Sequence, residues 1–181
     1  MALFRSSREA GEHVIVALGS NQGDREGTLG RAIADIDALR ELRVSAISPY
    51  YETPAIKIDG VDREAPRYLN AVIAAQTTLS PHALLDALNT IERGHGRVRD
   101  EVWGDRTLDL DIIVYGSLEM RDETLTIPHP RAWERAFVLQ PWLDIEPGAV
   151  LPGYGPISAV RALATDEVRL YVDDESDGDE L

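Results

Sequence analysis

Cysteine is absent from all 181 residues, so neither a disulfide framework, a thiolate metal site nor a thiol nucleophile can be built from this chain. Lysine is almost absent as well, Lys57 being the only one, and the formal net charge is −14. Nonspecific nucleic-acid binding relies on clustered positive charge that displaces counterions from phosphates, so it is not expected here. Long apolar runs are also missing. Val14 to Leu18 falls far short of the roughly 20 residues a membrane-spanning helix requires. The segment Met1 to Glu9 has no apolar stretch followed by a small-residue cleavage site, which argues against a secretory signal and for the cytoplasm.

A hydrophobic content of 44% is enough for one real core in a chain of this size. The expected organisation is one domain over residues 13–172, preceded by an extension at 1–12 and followed by an acidic tail at 173–181. A like-charge block of that kind repels itself and buries little, so the tail is expected to be disordered.

His13 to Gly19 is an unbroken apolar, β-branched run that suits a strand buried on both faces. Between Gly23 and Arg40, Leu29, Ala32, Ile33, Ile36 and Leu39 follow helical spacing. Val44 to Tyr51 reads as a strand ended by Thr53-Pro54, and the stretch through Arg67 reads as a loop without period. Tyr68 to Thr77 is a further strand. Ser80-Pro81 then supplies a cap and a first-turn proline for a helix with Leu84, Leu85, Leu88 and Ile91 on one face. Gly94 and Gly96 stop that helix, and Leu108 to Tyr115 forms a strand. The order β-α-β-β-α-β predicts an α+β fold, a ferredoxin-like sandwich with a largely antiparallel sheet and helices on one of its faces. The segments after Ile127 are expected as turns and short helices around that core.

Alternation along Leu108-Asp109-Leu110-Asp111-Ile112 puts both aspartates on one side of the strand and the apolar residues on the other. Two adjacent carboxylates repel unless a cation neutralises them, and hard oxygen ligands suit Mg²⁺. A bare D-x-D equally describes a half-exposed strand with a polar face. Aspartate is disfavoured in strands, however, and Arg97, Arg99 and Arg106 lie just upstream where they could meet phosphate oxygens. Trp103 in the same loop could close over a flat ligand or simply anchor the loop.

Other candidates are less specific. Gly19-Ser20-Asn21-x-Gly23 between a strand and a helix fits a tight turn better than a phosphate loop. Tyr68 and Asn70 share one strand face and offer a ring and an amide. Glu92 near a helix C-terminus is mildly unfavourable for the dipole, and solvation of an exposed glutamate accounts for it almost as well. His129 is held between Pro128 and Pro130, with Arg135 and Phe137 following. His82 and His95 are expected at the surface.

In order along the chain, Val14 to Asn21, Tyr51-Glu52-Thr53-Pro54, Tyr68-Leu69-Asn70-Ala71, Gly96-Arg97-Val98-Arg99, Arg106 to Asp111, Ile127 to Arg131 and Arg135 to Leu139 resemble the 6-hydroxymethyl-7,8-dihydropterin pyrophosphokinase family. The resemblance covers about residues 13–150. It implies transfer of the β,γ-pyrophosphoryl unit of ATP to the pterin hydroxymethyl oxygen, with two Mg²⁺ ions on Asp109 and Asp111. It also implies catalytic roles for Arg97 and Arg106, and nucleotide contacts from Glu92, Arg97, Arg99, Trp103, Arg106, Ile112, His129 and Arg135. Thr53, Pro54, Tyr68, Asn70 and Phe137 would bind the pterin. Small-molecule substrates are then the expected partners, and a monomer is the working expectation. The chain departs from the family at Asp105, where proline is usual, and at Asp100-Glu101, where a basic residue is common. A non-catalytic pterin or nucleotide binder and a Mg²⁺-dependent nucleotidyltransferase are the competing readings.

Overall fold

The computed structural model describes residues 11–57, 59–96 and 107–173. Strand β1 (Glu12–Ser20) leads through a turn at Gly23, whose φ of 61° favours glycine, into helix α1 (Arg25–Asp37). Asp24 caps α1 by accepting the Gly27 N–H at 3.0 Å. Then come β2 (Leu42–Ile47), β3 (Tyr51–Thr53), the hairpin β4 (Ala55–Lys57) and β5 (Gly60–Asp62), and the long β6 (Tyr68–Thr77). Ser80 caps α2 (Pro81–Gly94) by accepting from the Ala83 N–H, and Pro81 opens the helix as expected. After β7 (Asp109–Tyr115) follow β8 (Met120–Arg121), β9 (Thr126–Ile127), a short 3₁₀ turn at Ala132–Glu134 and α3 (Ala136–Ile145). The described chain finishes with β10 (Val150–Leu151), β11 (Gly155–Pro156), α4 (Ile157–Leu163) and β12 (Arg169–Leu170).

The main sheet runs β12-β3-β6-β1-β7, with β2 also on β6, and every pair in it is antiparallel. The single strand expected over Val44 to Tyr51 is two. β2 pairs with the Ile73–Thr77 half of β6 and β3 with the Tyr68–Asn70 half, parted at Ser48-Pro49. Pro49 has no N–H for a ladder bond, and Ser48 instead accepts the Val72 N–H on its hydroxyl. The loop before Arg67 likewise contains the β4/β5 hairpin.

Alternation along the central strands feeds two separate cores. Val14, Val16, Leu18, Leu69, Ala71, Ile73, Leu110 and Ile112 pack under α1 and α2 with Leu29, Ile36, Leu84 and Leu88. Ile15, Val72, Ala74 and Ile113 point the other way and meet Val138, Leu139 and Trp142 of α3 and Ile157 of α4. Helices therefore cover both faces of the sheet, and the segments after Ile127 supply the second layer. This corrects the expectation of helices on one face only. Among the described residues no helix is long and apolar enough to cross a membrane.

Candidate active site

The β1 register brings the sequence candidates together. Gly19 lies opposite Asn70 on one side and Asp109 on the other, while Tyr51 lies opposite Asn70, so Tyr51, Asn70, Gly19 and Asp109 form one row across four strands. One step along, Val72, Ala17 and Asp111 form the next row. At strand spacing, Asn70 and Asp109 stand two strands, or about 10 Å, apart. The β1 residues between them are the smallest available. A Cβ on Gly19 would come within 3.3 Å of Asn70 Oδ1 and 3.7 Å of Tyr68 Cδ1, so the absence of a side chain keeps this floor open.

Asp109 and Asp111 are half-buried on the same face as Ile113, whereas Leu108, Leu110 and Ile112 are buried in the opposite core. The outer edge of β7 is held by groups from elsewhere in the chain. Glu92 Oε1 accepts the Leu110 N–H at 2.7 Å, and the His129 N–H donates to the Ile113 carbonyl at 2.9 Å. The strand carrying the carboxylates is thus fixed on both sides of Asp111.

Helix α3 begins beside this row. Arg135, its cap residue, lies over the Phe137 ring at 5.5 Å. Burial lowers the Arg135 pKa, while the charges of Asp111 and Asp109 act in the opposite direction, so a half-buried guanidinium stands within electrostatic reach of both carboxylates. His129 is pushed down to about 4, first by burial and then by Arg135 and Arg131. Its Nδ1 accepts the Arg131 N–H at 3.2 Å, which leaves the proton of the neutral ring on Nε2 as a donor.

On the other flank, Asn70 Nδ2 donates to Thr53 Oγ1 at 3.0 Å and to the Tyr51 carbonyl at 3.4 Å. That commits the donor end of the amide and leaves Oδ1 facing the space above Gly19. The Tyr51 hydroxyl donates to Asp144 of α3, and burial followed by that partner pushes its pKa up to about 12. Thr53 and Pro54 are buried, and Tyr68 is half-buried at the start of β6.

Several expectations need correction. Glu92 is not a solvated glutamate. It is 2% exposed and holds β7 in place. Ile112 does not present its side chain to this face, so only its backbone could border a ligand. His95, expected at the surface, has a side chain only 13% exposed, with Nε2 2.8 Å from Asp35 of α1. Gly19 ends the expected strand and opens the expected turn, and its place opposite both Asn70 and Asp109 follows from register, a signal spread over three strands. Arg97, Arg99, Asp100, Glu101, Trp103, Asp105 and Arg106 lie outside the described residues. Among the described residues no group of three or more His, Cys, Asp or Glu forms a metal cluster, and Asp109 and Asp111 are the carboxylate pair that β7 presents on this face.

Residues 15–147 match the family model for 7,8-dihydro-6-hydroxymethylpterin-pyrophosphokinase (HPPK). The 2-amino-4-hydroxy-6-hydroxymethyldihydropteridine pyrophosphokinase of Methylorubrum extorquens is 40% identical over 138 residues, covering 76% of this chain and 85% of that protein. The enzyme of the same name from Pseudomonas aeruginosa is 41% identical over 141 residues, again with 85% of that protein covered. A mitochondrial folate synthesis bifunctional protein of Pisum sativum is 42% identical over 140 residues, but the chain spans only 25% of its length. Among solved structures, an HPPK-DHPS in complex with substrates superposes with a TM-score of 0.66 at 12% identity, covering 84% of this chain and 43% of that one. At that identity the likeness concerns the fold alone.

Proposed function

Because the chain belongs to the 7,8-dihydro-6-hydroxymethylpterin-pyrophosphokinase family, we propose that it transfers the β,γ-pyrophosphoryl group of ATP to the hydroxymethyl oxygen of 6-hydroxymethyl-7,8-dihydropterin, releasing AMP in a step of folate biosynthesis. The observation that carries this reading is the shared row. One sheet face sets a carboxylate pair, a half-buried arginine and an aromatic-plus-amide pair around a floor of Gly19 and Ala17.

Asp109 and Asp111 offer two hard oxygen donors on one face, which fits Mg²⁺, with water and phosphate oxygens completing its coordination. Mg²⁺ bound there, as two ions by family resemblance, would neutralise charge on the triphosphate. Arg135 reaches the same face and balances phosphate charge, and the neutral His129 ring donates from Nε2 to a phosphate oxygen. Tyr68 and Phe137 stack on the pterin ring, and Asn70 Oδ1 accepts from its amide edge. Thr53 sets the orientation of Asn70, and Pro54 closes that flank. Arg97, Arg99, Trp103 and Arg106 complete the nucleotide side, with Arg97 and Arg106 on the transferred group. Glu92 acts through β7, and Ile112 borders the nucleotide through its backbone.

The same reading takes β1, α1, β2, β6, α2 and β7 as a ferredoxin-like core, supported by the order β2-β6-β1-β7 along the sheet. Residues 13–172 form the catalytic unit, and the cytoplasm is its compartment. The test is product analysis. The purified protein with MgATP and the pterin should form AMP and pterin diphosphate in equal amounts. ADP would indicate a simple kinase, free pyrophosphate a nucleotidyltransferase, and ligand binding without turnover a binding protein, and each outcome overturns the proposal.

A further inference from the structure

Residues 166–171 lie beyond the 15–147 stretch that matches the family, yet they tie together three places that border the site. The first is the start of α3. The leading N–H groups of a helix lack intrahelical partners, and the cap residue here, Arg135, is cationic and makes no side-chain cap bond. Asp166 supplies the acceptor from 30 residues away, taking the Ala136 N–H on Oδ1 at 2.8 Å and on Oδ2 at 3.0 Å. Its negative charge also suits a helix N-terminus. Ala136 stands between Arg135 and Phe137.

The second tie is Glu167. Its Oε1 accepts from Arg67 Nη2 at 2.7 Å and Nη1 at 3.2 Å. Arg67 immediately precedes Tyr68. The third tie is Arg169, which reaches Glu52 Oε2 with Nη2 at 2.6 Å and Nε at 3.1 Å. Glu52 immediately precedes Thr53 and is itself buried, with Arg25 of α1 on its other oxygen at 2.9 Å. β12 adds backbone pairing to the same place, setting Arg169 opposite Glu52 and Leu170 opposite Tyr51, so the segment also covers the edge of β3.

Each tie thus lands one residue away from Phe137, Tyr68 or Thr53. Successive side chains of an extended backbone point to opposite sides, so gripping Glu52 from one face orients Thr53 on the other. We infer that Asp166–Tyr171 is a positioning strap that sets the spacing between the Phe137 and Tyr68 walls and the aim of Thr53, so that Asp166 governs pterin affinity through the α3 N-terminus without touching the ligand. This rests on the pyrophosphokinase reading for the identity of the ligand.

The experiment compares Asp166→Ala and Asp166→Asn in the full chain. Rates are taken with the pterin varied at saturating MgATP and with MgATP varied at saturating pterin. Pterin binding is also followed by fluorescence titration, and thermal unfolding alongside. Loss of the cap should raise the pterin KM and Kd about fivefold with kcat held within about twofold, whereas Asn, still an acceptor, should restore most of the affinity. Glu167→Gln, at a more exposed pair, should move the pterin KM in the same direction by about twofold even if the Asp166→Ala chain does not fold. An unchanged pterin KM and Kd in a folded Asp166→Ala protein would overturn the strap. So would a fall in kcat that follows thermal stability and spares KM. A wild-type chain that binds the pterin without making its diphosphate would defeat the pyrophosphokinase reading alone, since the strap is still read from the Kd.

Discussion

The two faces of the central sheet are built by alternate residues of the same three strands, and they have opposite characters. Under α1 and α2, β1, β6 and β7 present Val14, Val16, Leu18, Leu69, Ala71, Ile73, Leu110 and Ile112, all buried and all apolar. Toward α3 the same strands are apolar only over part of their length, at Ile15, Val72, Ala74 and Ile113. Beyond the α3 N-terminus they present Asn70, Gly19, Asp109 and Asp111 instead. Each strand therefore serves stability with one set of alternate residues and, near the α3 N-terminus, chemistry with the other, so neighbours in sequence should fail in different ways when they are changed.

Asp111→Ala carries the largest expected effect, and it falls on activity. Removing one of two carboxylates forfeits several kcal/mol of charge stabilisation, so turnover should drop by about 10³-fold or more. The Asp111 side chain is only half-buried and no part of either core, so the midpoint of thermal unfolding should stay close to wild type. Steady-state rates beside calorimetry decide it. Retained turnover would remove Asp111 from the site.

Leu69→Ala tests the other face. Leu69 is fully buried between Tyr68 and Asn70, and emptying its space should cost about 3 kcal/mol of unfolding free energy. The pterin KM of the molecules that remain folded should change little. Chemical denaturation and rates below the unfolding temperature separate the two effects. A pterin KM that rises in step with the lost stability would mean the faces are not independent.

This division was legible in part. Alternation in β7 exposed the two aspartates, and Ser80-Pro81 marked the start of α2, because both signals are local. The Ser48-Pro49 break was not legible, since the ladder bonds on either side of it come from different halves of β6. Glu92 looked solvated because its partner is a backbone N–H that only the folding of β7 brings near. The second helical layer is not legible, because α3 packs on the residues of β1, β6 and β7 that a one-faced sandwich would leave open. Register, edge pairing and long-range caps such as Asp166 are properties of strand and helix pairs, and no single segment encodes them.

A smaller effect is expected at the edge of the chemical face. The folded protein resists protonating His129, whose pKa is pushed down to about 4, while the unfolded chain takes up that proton near 6.5. Above about pH 6.5 the ring is neutral in both states and carries no penalty. As pH falls toward 4 the unfolded state gains the proton first, so stability declines, and the slope from this group vanishes below 4. Allowing for solvent at a half-buried ring, the loss at pH 5 should be about 1 kcal/mol. His129→Gln should remove that part of the difference between urea unfolding at pH 7 and pH 5. An unaltered difference would show that the ring is not held neutral.

The smallest expected effect is at Gly19, which lies in the row shared by the amide and carboxylate sides. Its φ is not in the left-handed region, so Ala can adopt the backbone, and losing a glycine from the unfolded chain contributes about 0.4 to 1 kcal/mol of stability. Against this, the new Cβ would stand 3.3 Å from Asn70 Oδ1, and Asn70 cannot yield freely because Thr53 and the Tyr51 carbonyl hold its amide. The two contributions nearly cancel in stability. They do not cancel in binding, where the methyl group occupies the space that Asn70 Oδ1 faces. Gly19→Ala should therefore leave the unfolding midpoint within a degree or two of wild type while raising the pterin KM by about threefold to tenfold, the cost of one impaired hydrogen bond. Unfolding scans and pterin-dependent rates on the same preparation decide it, and an unaltered KM would mean that the ligand lies clear of the Gly19 floor.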